Sequence, residues 1–470
     1  MIKINRTIII ICSVILFIIA GGCATYYQKT LKFQNYIYEG KLEKAKALLD
    51  NDKKAKTGKN KLLYFLYSGW VSWMMNLNEE SNKAFAEADI IIEDHQKNYA
   101  LEALSIISNP GIKPYKPEDF ENVMVNYFKA LNYLNIGQYD EALVECRKIN
   151  IKLYELNDKY KDHKNRYSDD AFAHIIMGLI YDANKEYNDA FIAYRNAIEV
   201  YENIYEKNFN VKIPQQLKWD LLRTAYINGF YNELHKYEEK FNLKYEHKFF
   251  KGGEMVFFWQ NGLGPVKSEW SINFTKIDGE GGMVIFANDE LGITFPFYIG
   301  DKSDEEKSAF AKLSFLRVAF PKYLERKTVF DSAEITVNDK VYPLYLAQDI
   351  NSIAFKTLHD RMIREMANSL LRLAAKKAME MAVREENEEA GTTVSIINAL
   401  TEKADTRNWQ TLPYEIYYTR IPLVAGKNAL NLITYSPDFS DTQTFEFNIE
   451  EGKTYFHTFQ SLESHPPEPY

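Results

Sequence analysis

The chain has 470 residues, 46% of them hydrophobic and 14% aromatic, and a formal net charge of −8. That length accommodates two domains with their own cores, and the acidic balance argues against nucleic acid as a partner. Three cysteines occur in the whole chain, too few for a disulfide framework and without the CxxC spacing of a metal site.

In chain order, residues 1–22 read as an export segment. Lys3 and Arg6 form a short basic start, and Thr7 to Ala20 an apolar run. The run falls short of the roughly 20 apolar residues of a membrane span, so a cleaved signal is expected. Ala20-Gly21-Gly22 stands directly before Cys23. An ordinary small-residue cleavage site would look similar, but the coincidence with a cysteine resembles the lipobox of bacterial lipoproteins. That resemblance implies loss of residues 1–22 and lipidation of Cys23. Removing two basic residues takes the formal charge to −10. Ala24 after the cysteine, and the lack of an acidic cluster over 24–28, are similar to lipoproteins held on the periplasmic face of an outer membrane.

Residues 23–243 are expected to form an all-α domain. "FKALNYLNIGQYDEALVEC" (128–146) and "IMGLIYDANKEYNDAFIAY" (176–194) align without gaps, matching Ala130 with Gly178, Tyr133 with Tyr181, Tyr139 with Tyr187 and Ala142 with Ala190. Small residue, tyrosine, turn, tyrosine and alanine at these spacings resembles the tetratricopeptide repeat, whose small residues let paired helices approach closely. Weaker copies centre on Gly40, Asn76 and Gly229, so equivalent turns fall at Gly40, Asn76, Gly137, Lys185 and Gly229. Their separations of 36, 61, 48 and 44 residues exceed the repeat's usual length of about 34. Extended helices or inserts are therefore expected, such as 109–119 and the charged run 154–170, which reads as a solvated helix face.

By analogy with that repeat, the first helix of each pair lines a concave surface. This places Trp70, Trp73, Tyr127, Leu131 and Phe172 there, together with Leu63, Leu66 and Ile175. The surface is unusually apolar for a peptide groove. Either it holds a hydrophobic partner segment, or this chain's own C-terminal half fills it; a patch of that size left exposed is a liability.

Residues 244–462 read as β-rich, with a helical insertion at about 350–403 and a polar tail at 463–470. Short β-favouring runs at 253–265, 281–289 and 292–300 are bounded by Gly, Asn, Asp and Pro. A hairpin is expected over 333–347 with Asn338-Asp339 in its turn. Two more are expected after residue 412, turning at Ala425-Gly426 and Glu451-Gly452. In the insertion, Leu358, Met362, Met366, Leu370 and Leu373 form one apolar stripe suited to packing on a sheet. Gly391 can end that helix, and 394–404 can return as a second. The fold class is thus α+β and multidomain: a tetratricopeptide-like helical array, then an antiparallel β-sandwich-like domain.

Four stretches, 125–145, 254–265, 345–378 and 404–423, resemble a little-characterised family of bacterial envelope lipoproteins. Its members join a tetratricopeptide-like half to a β-rich half. The resemblance implies an envelope role near lipoprotein activators of peptidoglycan synthesis. It implies no activity.

Chemistry-bearing motifs are sparse. No HExxH, GxSxG, Walker loop or GxGxxG after a strand occurs. In "HDRMIRE" (359–365), His359 and Asp360 diverge by about 100° on a helix and make no dyad. "DGEGG" (278–282) reads as a tight turn, and Cys146 as a packed core residue. In "ADTRNWQTLP" (404–413), Asp405, Arg407 and Trp409 make either a recognition surface or a lock returning the insertion to the sheet. An Arg–Asp pair beside an anchoring Trp suits a fixed corner.

These features point to a non-enzymatic, lipid-anchored periplasmic scaffold or adaptor for envelope or cell-wall assembly. It would touch membrane lipid through Cys23 and bind envelope proteins, without cofactor, metal or catalytic residues. One alternative is a glycan-binding lipoprotein of a carbohydrate-uptake system, which requires Trp70, Trp73 and Trp259 to be exposed. A second is a hydrolase acting in the β domain, which requires a polar cleft that the sequence does not display; alanine replacement of Asp405, Arg407 and His359 would test it.

Overall fold

The computed structural model describes residues 24–97, 113–159, 167–247, 250–301, 304, 307, 315–386 and 403–467. The export segment, Cys23, Gly391, most of 394–404, and parts of the inserts at 109–119 and 154–170 lie outside the described residues.

Among the described residues of the first half, ten helices make five successive pairs, with short helical turns between some of them. They are α1 (Leu31–Tyr38) with α2 (Leu42–Asn51), α3 (Lys61–Met74) with α4 (Asn78–Lys97), and α5 (Asp119–Asn135) with α6 (Tyr139–Lys159). The fourth and fifth pairs are α7 (Ala171–Ala183) with α8 (Tyr187–Val200), and α9 (Gln215–Ile227) with α10 (Tyr231–Phe241). Each pair turns on a left-handed residue: Gly40 (φ 64°), Asn76 (57°), Gly137 (74°), Lys185 (64°) and Gly229 (69°). The hydrogen bonds are equivalent in all five. At the first, the Gly40 N–H donates to the Ile37 carbonyl (2.9 Å) and the Lys41 N–H to that of Tyr36 (2.8 Å). This closes the last turn of the first helix with its orphan carbonyls satisfied. The turns expected from sequence are therefore the turns of the fold.

Small residues set the close approach within pairs. A Cβ at Gly178 would lie 2.3 Å from the Tyr194 ring, and one at Gly69 2.7 Å from Phe85. Ala130 and Cys146 recur at the same sixteen-residue spacing and are both fully buried. Glycine faces a ring in two repeats; alanine is matched with a cysteine in the third.

The second half contains β1 (Gly253–Asn261), β2 (Val266–Asp278), β3 (Met283–Asn288), β4 (Ile293–Tyr298), β5 (Phe315–Leu324), β6 (Ser332–Val337), β7 (Lys340–Pro343) and β8 (Tyr345–Asp349). Helix α11 (Ile350–Glu386) follows, then β9 (Glu415–Leu423), β10 (Gly426–Tyr435), β11 (Ser440–Ile449) and β12 (Thr454–Ser461). Among the described residues these form three four-stranded sheets, ordered β12-β1-β9-β8, β11-β10-β6-β7 and β4-β3-β2-β5. Pairing is antiparallel except between β1 and β12, which run parallel. The first two sheets face each other across Met255, Phe257, Trp259 and Ile421 on one side and Ile335, Leu430 and Leu432 on the other. The third carries α11, with Met366, Leu370 and Leu373 packed on Phe274, Phe286 and Val318.

The β6–β7 hairpin turns at Asn338-Asp339, both left-handed (φ 47° and 60°). The other two expected hairpins do not form. β9 pairs with β1 and β8 while β10 pairs with β6 and β11; β11 stays with β10 while β12 joins β1. Ala425-Gly426 and Glu451-Gly452 are corners where the chain switches sheets. Short turns look alike in sequence whether the strands pair or part, because both need the same left-handed glycine. Strands β2 and β5 were not expected from sequence, although β2 alternates buried Ile272 and Phe274 with exposed Ser271, Asn273 and Thr275.

Strand β1 explains why the two halves are one body. Met255, Phe257 and Trp259 enter the sandwich core, while Val256 and Phe258 enter the core of the helical array. Both faces of the strand are covered, hence its nearly unbroken apolar run. Among the described residues, no helix is long and apolar enough to cross a membrane.

Candidate functional site

The concave face of the array is filled from within. Trp70, Tyr127, Leu131 and Phe172 are 0–2% exposed and Trp73 5%. The Phe172 and Phe258 rings meet edge-on at 5.8 Å. Trp70 Nε1 donates to Gln460 Oε1 (3.2 Å), and Gln260 Nε2 donates to the Tyr127 hydroxyl (3.0 Å). The Tyr201 hydroxyl donates to the Ala347 carbonyl (2.6 Å), and Gln348 Nε2 to Asp170 Oδ2 (3.0 Å). Of the two readings of this surface, the open partner groove gives way to the self-filled one. The physical reason is the exposed apolar area, which a sheet already carrying an apolar face can cover at no further cost in chain ordering.

Residues 404–413 form a corner wedged into the array. The Trp409 ring lies 5.7 Å from both Phe85 and Phe128, and its Nε1 donates to Thr411 Oγ1 at 2.8 Å. Its backbone N–H donates to Glu121 Oε1 at 2.7 Å. Arg407 grips Asp405 bidentately (2.8 and 2.6 Å), donates to Asn60 Oδ1 (3.1 Å) and the Lys113 carbonyl (3.1 Å), and covers the Tyr115 ring at 5.5 Å. Every polar atom of this guanidinium fork named here is spent on holding the loop. Asp405, Arg407 and Trp409 come together as a lock, and a recognition role for them is not supported by that geometry.

Two buried ion clusters bolt the halves together. Arg420, on β9, donates to Asp182 Oδ2 (2.8 Å), Asp220 Oδ1 (2.8 Å) and Glu254 Oε2 (2.6 Å). Arg223 also bonds Asp182. Burial alone would raise the Asp182 carboxyl, yet Arg223 and Arg420 hold it below the usual carboxylate range. Asp220 goes the other way: burial outweighs the same arginines and pushes it up. In the second cluster, Glu118 binds Arg361 (2.6 Å) from α11 and Lys267 from β2. Burial opposes ionisation there, but Arg361 and Lys267 win and hold Glu118 down to about 2. Neighbouring Glu121 is pushed up to about 6 by burial and by Glu118. The sequence marks Arg361 and Glu365 as members of a structural ion-pair set, as they are (3.6 Å), but not Glu118 and Lys267 as partners, and it does not mark the Arg420 cluster. The available signal was Arg420 and Asp182 standing singly inside apolar runs, "YYTRIPL" and "MGLIYDAN".

Of the three residues named for the hydrolase alternative, Asp405 and Arg407 are paired with each other and His359 is exposed on α11. The glycan alternative required three exposed rings, and Trp70, Trp73 and Trp259 are all buried. Burial pushes the Cys146 thiol far above its ordinary range, which leaves it unreactive. "DGEGG" closes the β2–β3 turn, the Gly279 N–H donating to the Met283 carbonyl at 3.0 Å. Among the described residues, no three His, Cys, Asp or Glu side chains are placed to hold a metal ion. A cavity of about 220 Å³ beside Lys46, Tyr64, Phe65 and Glu80 is smaller than ordinary ligand pockets.

No family model matches the chain, and no curated protein is significantly similar to it. Among solved structures, the apo form of RapI is 17% identical over 46% of this chain and 68% of its own, with a TM-score of 0.33. MamA is 16% identical over 46% of this chain and 92% of its own (TM-score 0.28). A putative kinesin light chain of Podosopora anserina with nearly identical TPR-like repeats is 14% identical over 46% and 93% (TM-score 0.30). These superpositions are loose, and the repeat architecture rests on the chain's own five turns and its glycine–ring contacts.

Proposed function

We propose that this chain is a non-enzymatic scaffold or adaptor of the bacterial envelope. It is anchored by acylated Cys23 to the periplasmic face of the outer membrane and binds proteins of envelope or cell-wall assembly. The observation that carries the reading is the array itself: five helix pairs built on one repeated turn, an architecture suited to presenting an extended surface for protein contact. Because its inner face is occupied by β1, β9 and the 404–413 corner, the surface offered to a partner is the outer one, including exposed Val144 and Ile151 on α6. The lipobox resemblance supports the anchor and its location.

The test is photo-crosslinking in living cells from residues placed at 144 and 151, with position 70 as a buried control. Envelope-assembly proteins captured at the outer positions and not at 70 support the adaptor reading; recovery of non-specific neighbours alone at all three overturns it. Metabolic labelling with a fatty acid, lost in Cys23→Ser, checks the anchor separately.

A further inference from the structure

Charge is unevenly distributed along the chain. Residues 24–61 hold ten lysines against four acidic residues, whereas 62–470 hold 45 basic residues against 61 acidic ones. A segment of net +6 therefore precedes a body of net −16. Segregation of that kind creates a local field opposite in sign to that of the whole molecule.

The fold fixes this segment close to Cys23. Thr25 and Gln28 close a capping box, the Thr25 N–H donating to Gln28 Oε1 at 2.8 Å. The Tyr26 N–H donates to Thr406 Oγ1 (2.9 Å), and the Thr30 hydroxyl to Gln410 Oε1 (3.2 Å). From Thr25 onward the chain is thus tied to the rigid junction. Two residues of extended chain reach roughly 7 Å, so an acyl group on Cys23 is held within about a side chain's length of this face. Lys29, Lys32, Lys53, Lys54 and Lys59, all in this segment, are exposed. Lys59 and Lys29 are close enough to interact, and Asp52, which directly precedes Lys53, is felt at Tyr26 beside its burial and the Tyr67 hydrogen bond, so the two ends of the segment lie near each other. Two of the acids near these lysines are engaged. Asp52 caps the 53–57 turn through the Ala55 N–H (2.9 Å), and Asp405 is paired with Arg407.

We infer that this lysine face docks on the anionic phospholipid headgroups of the leaflet that holds the acyl chains of Cys23. The body then lies against the membrane instead of swinging on a tether. The inference rests on the lipid-anchor reading above. Acyl chains supply insertion, and the lysines supply the second, electrostatic signal. Each lysine close to an anionic surface is worth about fivefold in partitioning. That attraction fades over a Debye length of about 10 Å, so it requires the close approach that the two-residue link enforces.

The experiment uses processed protein purified from membranes and reconstituted into vesicles of phosphatidylcholine, alone or mixed with phosphatidylglycerol. Intact mass first establishes whether Cys23 carries acyl chains. Lysine labelling with a water-soluble acylating reagent then reads docking. In anionic vesicles, Lys29, Lys32, Lys53 and Lys54 should label about tenfold more slowly than in neutral ones, with protection lost at high salt. A variant carrying glutamate at these four positions should stay folded and membrane-bound, yet lose protection at Lys59 and Lys61. Equal labelling in both vesicle types with Cys23 acylated overturns docking and leaves the anchor standing. Protection insensitive to lipid charge and salt also overturns it. An unacylated Cys23 overturns the anchor reading and the inference with it.

Discussion

Replacing Arg420 by methionine isolates the bolt between array and sheet. The guanidinium side chain is 6% exposed and bonds three carboxylates contributed by α7, α9 and β1. Breaking a buried ion cluster from one side costs about 3–5 kcal/mol, because the remaining charges stay buried without compensation. Arg223 still binds Asp182 but stands 4.0 Å from Asp220, so Asp220 bears most of the loss. About 3 kcal/mol at neutral pH is the expected cost. Its pH dependence has a definite sign. Burial already raises the Asp220 carboxyl, and removing Arg420 raises it further. A carboxyl raised in the folded state contributes stability below its unfolded value, near 3.9, and loses it as pH rises through the folded value. The variant should therefore be hurt most near pH 7.5 and recover part of its deficit by pH 5. Urea unfolding followed by tryptophan fluorescence at the two pH values measures this. Adding Asp220→Asn to the Arg420→Met variant should restore about 1–2 kcal/mol at pH 7.5. A deficit under about 1 kcal/mol at pH 7.5, or one that grows on acidification, would refute the account.

Gly178→Ala drives a methyl into the Tyr194 ring, whose hydroxyl is bonded to Asp182 (3.2 Å), and should destabilise by about 1–3 kcal/mol despite alanine's better helix propensity; chemical denaturation checks it. Trp409→Ala empties the space between Phe85 and Phe128 and should cost about 3–5 kcal/mol, with faster proteolysis after residue 404 as the second readout. Burial among Phe257, Phe445 and Phe447 holds His457 down to about 4. A histidine lowered in the fold contributes stability above about 6.5 that is lost as pH falls towards 4, here about 3 kcal/mol. His457→Phe should flatten that acid limb in melts between pH 7 and 4.

Local features were legible without the fold. The five turn residues could be read from Gly40, Asn76, Gly137, Lys185 and Gly229 because a left-handed turn is decided by a few neighbouring residues. Gly69 and Gly178 announced close helix approach for a similar reason, and the stripe ending at Met366, Leu370 and Leu373 announced its sheet. At the corner, Asp405, Arg407 and Trp409 are near enough in sequence for their pairing to be foreseen, but Phe85, Phe128 and Glu121 as their seat were not.

The choice of partners was left to tertiary structure. Gly426 and Gly452 permit a corner or a hairpin equally, and only the competition between β1 and β10 for neighbours sent β9 and β12 to one sheet and β10 and β11 to the other. The apolar face of Trp70, Tyr127 and Phe172 was equally ambiguous in sequence, since burial demands a cover without naming it. The chain's own second half, joined to that face at high effective concentration and bolted there by Arg420, supplies the cover. Periodicity and turn chemistry act over a few residues and can be read along the chain; the occupant of a groove depends on contacts hundreds of residues apart.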